Sequence, residues 1–203
     1  MKEKIILIGG APRTGKTFLA KELSKKMGIP WISTDTIRGF MREVADKKKY
    51  PSLFHFVGRK PEIYLPSHTP EQIVKDQNKE SIDVWKGVKG FIKSDYNWRS
   101  CIIEGVAVLP SFLSKDFSKN KSVKTIFILN DNREELKKRI FKFGLWDDAH
   151  TYPDYLKPKE LEWVIFFNDW LKGELKKYKY PTIDLSKKNK SSISKIVSML
   201  KRK

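Results

Sequence analysis

The chain holds a single cysteine, Cys101, among 203 residues. One thiol cannot close an internal disulfide, so nothing points to an oxidising compartment, and Cys101, set in an apolar run, reads as a small core residue. No apolar run approaches the roughly 20 residues that a membrane-spanning helix needs. No signal peptide is visible, because Gly9, Gly10 and a glycine loop stand where its apolar stretch would lie, and the chain is expected in the cytoplasm. Acidic residues are scarce beside basic ones, 24 against 42, for a formal net charge of +18. Lysine is spread along the whole length rather than gathered in one block. Three sources of that balance compete: nucleic-acid binding, an anionic small substrate, or a lysine-rich proteome. A reading motif for nucleic acid is missing, so that partner is possible but not favoured. The runs Lys187-Lys188-Asn189-Lys190 and Lys201-Arg202-Lys203 read as solvated. With no internal repeat and no low-complexity linker, residues 1–203 are expected to form one domain. Oligomeric state is left open.

What is present begins with Gly10-Ala11-Pro12-Arg13-Thr14-Gly15-Lys16-Thr17, which fits G-x-x-x-x-G-K-[ST] at every fixed position. The β-branched run Lys4-Ile5-Ile6-Leu7-Ile8 before it reads as a buried strand. Phe18-Leu19-Ala20-Lys21-Glu22-Leu23 after it has helical spacing. Gly10 and Gly15 let the backbone curl so that successive N–H groups point at phosphate oxygens, and the helix adds its positive end. Residues 10–18, through Phe18, are the expected nucleotide-binding segment. Lys16 is expected at the β/γ-phosphates and the Thr17 hydroxyl on Mg²⁺. The competing glycine loop, G-x-G-x-x-G, lacks the Lys-Thr pair and is rejected. An N-K-x-D guanine motif is not visible, and ATP is the expected nucleotide.

Further runs alternate. Strands are expected at Ile29–Ser33, Ser100–Glu104, Val123–Leu129 and Tyr180–Leu185. A helix capped at Thr34-Asp35 is expected to turn residues 37, 40, 41 and 44 inward. Residues 48–70 read as irregular, punctuated by Pro51, Gly58, Pro61 and Pro66. Thr69-Pro70-Glu71-Gln72 is a capping box opening a helix to Ile92 or Lys93, with Ile73, Ile82, Trp85, Val88 and Ile92 inward. Asn132 caps a helix with Leu136, Ile140 and Phe141. Another helix spans about 159–177, and a last one carries Ile193, Ile196, Val197 and Leu200. Alternating strands and helices imply an α/β, three-layer P-loop NTPase fold: a mostly five-stranded parallel sheet with helices on both faces. Ligands then bind at the carboxyl ends of the strands, which selects the P-loop, Asp35, Glu104, Asn130, Asp131 and Ser186.

These residues resemble a P-loop kinase of the nucleoside-monophosphate-kinase type. More narrowly, Gly9–Thr17, Ser33-Thr34-Asp35-Thr36-Ile37-Arg38 with Arg42, Ile102-Ile103-Glu104-Gly105-Val106 with Pro110, and Val84-Trp85-Lys86-Gly87-Val88 resemble the 2-phosphoglycerate kinase group. The resemblance covers most of residues 4–186. The larger 2-phosphoglycerate kinases carry an added N-terminal region, whereas this chain starts directly at its first strand. The implied activity is transfer of the γ-phosphoryl group of ATP, with Mg²⁺, to a small anionic metabolite such as a phosphoglycerate. A nucleotide or nucleoside kinase, and an ATP-binding regulatory or RNA-associated protein, stand as alternatives.

Asp35 is the strongest candidate beyond the P-loop. It can accept the proton of an attacking hydroxyl or hold a metal-bound water, or it can be a helix N-terminal charge. Arg38 and Arg42 share a helix face and read either as a clamp for a substrate anion or as surface charges. Arg59, with Lys60 and His55, lies in a substrate-binding insert expected near 48–95. Glu104 ends a buried run, where a carboxylate is costly without a purpose or partner; it is expected to contact substrate or to hold Mg²⁺ with Thr17 and Asp35. A lid-like segment is expected near 142–158. It contains no arginine, so the charge that neutralises the transferred group would come from Arg139 or Lys142. His150 reads as a surface histidine and Trp146, Tyr152 and Tyr155 as packing residues.

Overall fold

Five short apolar runs form the strands β1 (Lys4–Gly10), β2 (Trp31–Ser33), β3 (Ser100–Glu104), β4 (Val123–Leu129) and β5 (Thr182–Asp184). The structure, a computed structural model, describes residues 4–94, 100–145, 153–185 and 196–200. The strands make one sheet in the order β2-β3-β1-β4-β5, parallel at every pairing. The register sets Ile8 of β1 beside Glu104 of β3 on one side and Ile126 of β4 on the other.

Side chains alternate across a strand, and both faces of this sheet are covered. Ile6, Ile8, Ile102, Ile126 and Ile128 pack against Leu19, Ala20 and Leu23 of α1 (Lys16–Met27). Ile196 and Leu200, in the helical stretch 196–200, close that side. Leu7, Ile103 and Phe127 face the other layer. There α4 (Pro70–Lys93) and α7 (Lys157–Tyr178) supply Ile73, Trp85, Val88, Val164, Phe167 and Leu171. In sequence, α2 (Thr34–Val44) and α3 (Pro61–Ser67) come before α4, and α5 (Pro110–Phe117) and α6 (Arg133–Phe143) lie between α4 and α7. The fold is the expected three-layer α/β arrangement. Among the described residues no helix is long and apolar enough to cross a membrane.

Local expectations hold at the caps of α4 and α6. Thr69 accepts from the Gln72 amide and Gln72 answers at the Thr69 amide, and Asn132 accepts from Glu135. The cap of α2 differs from the expected Thr34-Asp35: it is Ser33, extended at φ −89° and ψ 151°, whose hydroxyl accepts from the Thr36 amide, so the helix begins at Thr34. Other expectations fail, among them Tyr155 as a packing residue, since it is 65% exposed. Residues 48–70 contain a 3-10 turn, Pro51–Phe54, and α3, which Pro61 opens and whose Tyr64 and Leu65 are buried. Phe40 and Val44 are 68% and 87% exposed. They lie about 200° around the helix from Arg38 and Arg42, and α2 turns its arginines, with Ile37 and Met41, inward. Ile82 is half exposed, because the inward stripe of α4 runs through Ile73, Gln77, Glu80, Val84 and Val88. The short helix α5 had no counterpart in the sequence reading.

Candidate active site

The loop after β1 needs its glycines for steric reasons. A Cβ on Gly9 would stand 2.3 Å from the Phe127 ring and 2.5 Å from the Val108 carbonyl. Gly15, the N-cap of α1, sits at φ 108°, where other residues are strained. The first turn of α1 has no acidic residue and no side-chain cap. Its amide groups and positive end are therefore not answered by a carboxylate of that turn. Thr14 Oγ1 and Lys16 Nζ both donate to the Ala11 carbonyl, each at 2.8 Å, which folds the lysine back over the loop.

Glu104 is the last residue of β3 and only 3% exposed. Its Oε1 accepts from Thr17 Oγ1 at 2.9 Å. Burial pushes its carboxyl pKa up, against the opposing pull of Lys16 and the Thr17 hydrogen bond. Burial pushes the Lys16 ammonium down, against the nearby charges of Glu104 and Asp35. The next residue, Gly105, lets β3 pass under the start of α2: a Cβ there would stand 1.8 Å from Thr34 Oγ1. That close approach sets Asp35, in the first turn of α2, on the same opening as Lys16 and Glu104.

In the same cleft, α2 and α4 share one carboxylate. Glu80 is 3% exposed. Its Oε2 accepts from Arg38 Nη1 at 3.1 Å and its Oε1 from Arg42 Nη2 at 2.5 Å. Arg42 Nε also donates to the Leu53 carbonyl at 2.8 Å, and Arg38 Nη2 stands 3.3 Å from Asp35 Oδ1. Burial raises the Glu80 pKa, opposed by both arginines. Farther along the same wall, Arg59 donates to the His55 carbonyl at 2.6 Å and lies over the Tyr64 ring. Asp76 accepts from Tyr64 Oη at 2.9 Å and stands 3.0 Å from His55 Nε2. Burial would raise the Asp76 pKa, but these partners hold it below the usual range.

One cleft of about 1100 Å³ brings together Pro12, Arg13, Lys16, Thr17, Asp35, Arg38, Arg42, Arg59 and Glu104. Gly10, Ala11, Thr14 and Gly15 form the loop behind this lining, with Ala11 and Thr14 fully buried. Phe18 is 56% exposed and lies outside the cleft lining. Arg139 reaches the P-loop but not the cleft: its Nη1 donates to the Arg13 carbonyl at 2.8 Å and its Nη2 to Glu135 at 2.6 Å. Arg13 in turn donates to the carbonyls of Gly144 and Phe143. Asn130 and Asp131 are bound to Asn168, Glu135 and Lys172 beside α6 and α7. Trp146, His150, Tyr152, Ser186 and much of the expected lid lie outside the described residues.

The sequence reading missed Glu80, Gln77 and Trp163, all of which line the cleft. Trp163 Nε1 donates to Gln77 Oε1 at 3.3 Å. The available signal was a glutamine and a glutamate three residues apart on the apolar stripe of α4, where such side chains are rarely buried unpaired. Among the described residues no three His, Cys, Asp or Glu side chains are grouped closely enough to hold a metal ion. The donor set at the P-loop is therefore one hydroxyl and one or two carboxylates. That fits a hard cation held jointly with phosphate oxygens, as Mg²⁺ commonly is.

No protein-family profile matches the chain. It is 29% identical over 191 residues to the 2-phosphoglycerate kinase of Methanocaldococcus jannaschii, covering 89% of this chain and 58% of that protein. Identity to the 2-phosphoglycerate kinase of Methanopyrus kandleri is 28% over 203 residues, covering 98% and 61%. Against the Methanothermobacter thermautotrophicus protein of the same name it is 31% over 143 residues, covering 68% and 46%. The chain thus spans about three fifths or less of the length of these relatives. Among solved structures, a shikimate kinase from Bacteroides thetaiotaomicron superposes with a TM-score of 0.54 at 13% identity, covering 98% of this chain and 99% of that one. A gluconokinase from Sinorhizobium meliloti gives 0.53 at 12% identity, covering 98% and 89%. These two likenesses show the fold alone, a three-layer α/β arrangement around a parallel sheet.

Proposed function

We propose that this chain is an ATP- and Mg²⁺-dependent kinase that phosphorylates a small anionic acceptor, with 2-phosphoglycerate the leading candidate. The observation that carries the reading is the cleft itself. On one wall Thr17 is joined to Glu104 beside Lys16. In the same cleft Asp35 stands 3.3 Å from Arg38, with Arg42 one helical turn on. A phosphate-binding loop that shares its cleft with an arginine pair suits an acceptor that is itself an anion, since guanidinium groups match phosphate and carboxylate. The names of the curated relatives support 2-phosphoglycerate as that acceptor.

In this reading the P-loop amides and Lys16 hold the β- and γ-phosphates. Thr17, with Glu104 and Asp35 nearby, would hold Mg²⁺. Bound Mg²⁺ supplies charge neutralisation at the phosphate oxygens. Asp35 takes the proton from the acceptor hydroxyl as its oxygen bonds to the γ-phosphorus and the bond to the β-phosphate oxygen breaks, which leaves ADP. On 2-phosphoglycerate the attacking group is the 3-hydroxyl and the product is 2,3-bisphosphoglycerate. Arg38, Arg42 and Arg59 hold the acceptor's phosphate and carboxylate. Arg139 braces the P-loop through the Arg13 carbonyl and adds positive charge there. Residues 48–95 act as the acceptor-binding insert and the segment near 142–158 as a lid within one kinase domain.

The test is incubation with ATP–Mg²⁺ and a panel of phosphoglycerates, other small acids, sugars, nucleosides and nucleoside monophosphates, with products weighed by mass spectrometry. Mass gain on 2-phosphoglycerate is the expected result. Transfer only to nucleosides or their monophosphates would replace the acceptor assignment, and transfer to none would remove the kinase reading.

A further inference from the structure

Glu80 has no place in the chemistry above, yet it occupies an expensive position. It is 3% exposed on a stripe of α4 that is otherwise largely apolar. Replacing a buried ion network with apolar residues of similar size is often neutral or stabilising. Stability alone therefore gives a weak reason for a carboxylate here. Its geometry offers a better one. The two arginines sit one turn apart on α2, each little exposed, and each takes a different oxygen of the same carboxylate. Arg42 is held at a second point by the Leu53 carbonyl. Two long side chains with many rotamers are thereby fixed at one spacing, each facing the cleft.

We infer that Glu80 is a positioning residue: it bridges Arg38 and Arg42 and so sets the acceptor-anion site. This rests on the reading of α2 as the acceptor wall. The bridge also offsets one of the pair's two positive charges, and Asp35, 3.3 Å from Arg38, screens a further part of what remains. Glutamine cannot do the same work, because its amide NH₂ meets one guanidinium donor with another donor. Aspartate keeps the charge but is one methylene too short to span both arginines from α4.

The experiment compares wild type, Glu80→Gln and Glu80→Asp. It measures acceptor KM, ATP KM and kcat, together with calorimetric binding of 2-phosphoglycerate without nucleotide. Both variants are expected to raise the acceptor KM at least tenfold and to leave the ATP KM within about twofold. Binding of 2-phosphoglycerate should weaken by the same factor. In an R38A/R42A background, E80Q should add nothing further, since its effect runs through those side chains. A lower melting temperature with unchanged acceptor KM and unchanged binding would make Glu80 a structural residue and overturn the inference. If glutamine at 80 prevents folding, the aspartate variant makes the same prediction. If wild type transfers phosphate to no acceptor, the kinase reading fails separately, and the binding comparison still decides. Equal affinity in wild type and variant, or no loss in R38A/R42A, overturns the role of Glu80.

Discussion

Burial disfavours the charge of Lys16, and the proposed chemistry needs that charge. Its burial lowers its pKa, while Glu104 and Asp35 act to keep it protonated. Lys16→Ala should therefore cost about 10²-fold or more in phosphotransfer, the usual scale for removing a preorganised electrostatic contact, with a native circular-dichroism spectrum. Asp35→Asn should lower kcat by about 10²–10⁴-fold, the range for losing a general base. Asp35 is largely exposed, so its loss should leave the melting temperature nearly unchanged. Glu104 behaves oppositely in stability. Burial raises its pKa in the fold, so the folded protein binds this proton more tightly than the unfolded chain does. Stability must then fall as pH rises from the ordinary carboxylate range through the raised value. Glu104→Gln should raise the urea midpoint more at pH 8 than at pH 4.5, while activity drops; an equal change at both pH values would contradict the assignment. Cys101, pushed up to about 11 by burial, should not react with a thiol reagent at pH 8 until the chain is unfolded.

The elements carry two contrasting glycines on α4. A Cβ on Gly87 would stand 2.3 Å from Met41 Sδ and 2.9 Å from Ile37 Cγ2, whereas one on Gly90 meets nothing within 4 Å. Gly90→Ala should stabilise by about 0.5–1 kcal/mol through helix propensity. Gly87→Ala should lose that gain to overpacking, destabilise by about 1–2 kcal/mol, and raise the acceptor KM by displacing α2 with its arginines. Chemical denaturation and steady-state kinetics on both variants check this. The same helix pair shows what could be read from sequence and what could not. The strand ends, the P-loop, and the caps at Thr69 and Asn132 depend on near neighbours in the chain, and they were legible. The facing of α2 was not: periodicity ranked Phe40 and Val44 as inward because it weighs hydrophobicity alone, while burial of Arg38 and Arg42 depends on Glu80, 38 residues or more away. Residues 61–67 became a helix because tertiary contacts bury Tyr64 and Leu65, which outweighs the proline punctuation. The cleft's membership was half legible, since the strand-end rule finds Asp35 and Glu104 but is blind to residues in mid-helix such as Gln77 and Glu80.

At the scale of the molecule, the parallel order β2-β3-β1-β4-β5 places the P-loop at the centre of the sheet and Glu104 on the strand beside it. The formal charge of +18 surrounds a cleft read as taking two anionic ligands. A field of that sign should speed their arrival, and salt should screen it. The value of kcat/KM for the acceptor should fall several-fold between about 50 and 500 mM salt, and a flat profile would assign the charge to something other than substrate capture. The most direct measurement is mass-resolved phosphotransfer from ATP–Mg²⁺ to 2-phosphoglycerate, with Thr17→Ala run beside wild type. The expected result is 2,3-bisphosphoglycerate and ADP in equal amounts from wild type, and at least a hundredfold less from the variant. ATP hydrolysis without an acceptor product, or full activity in Thr17→Ala, would contradict it.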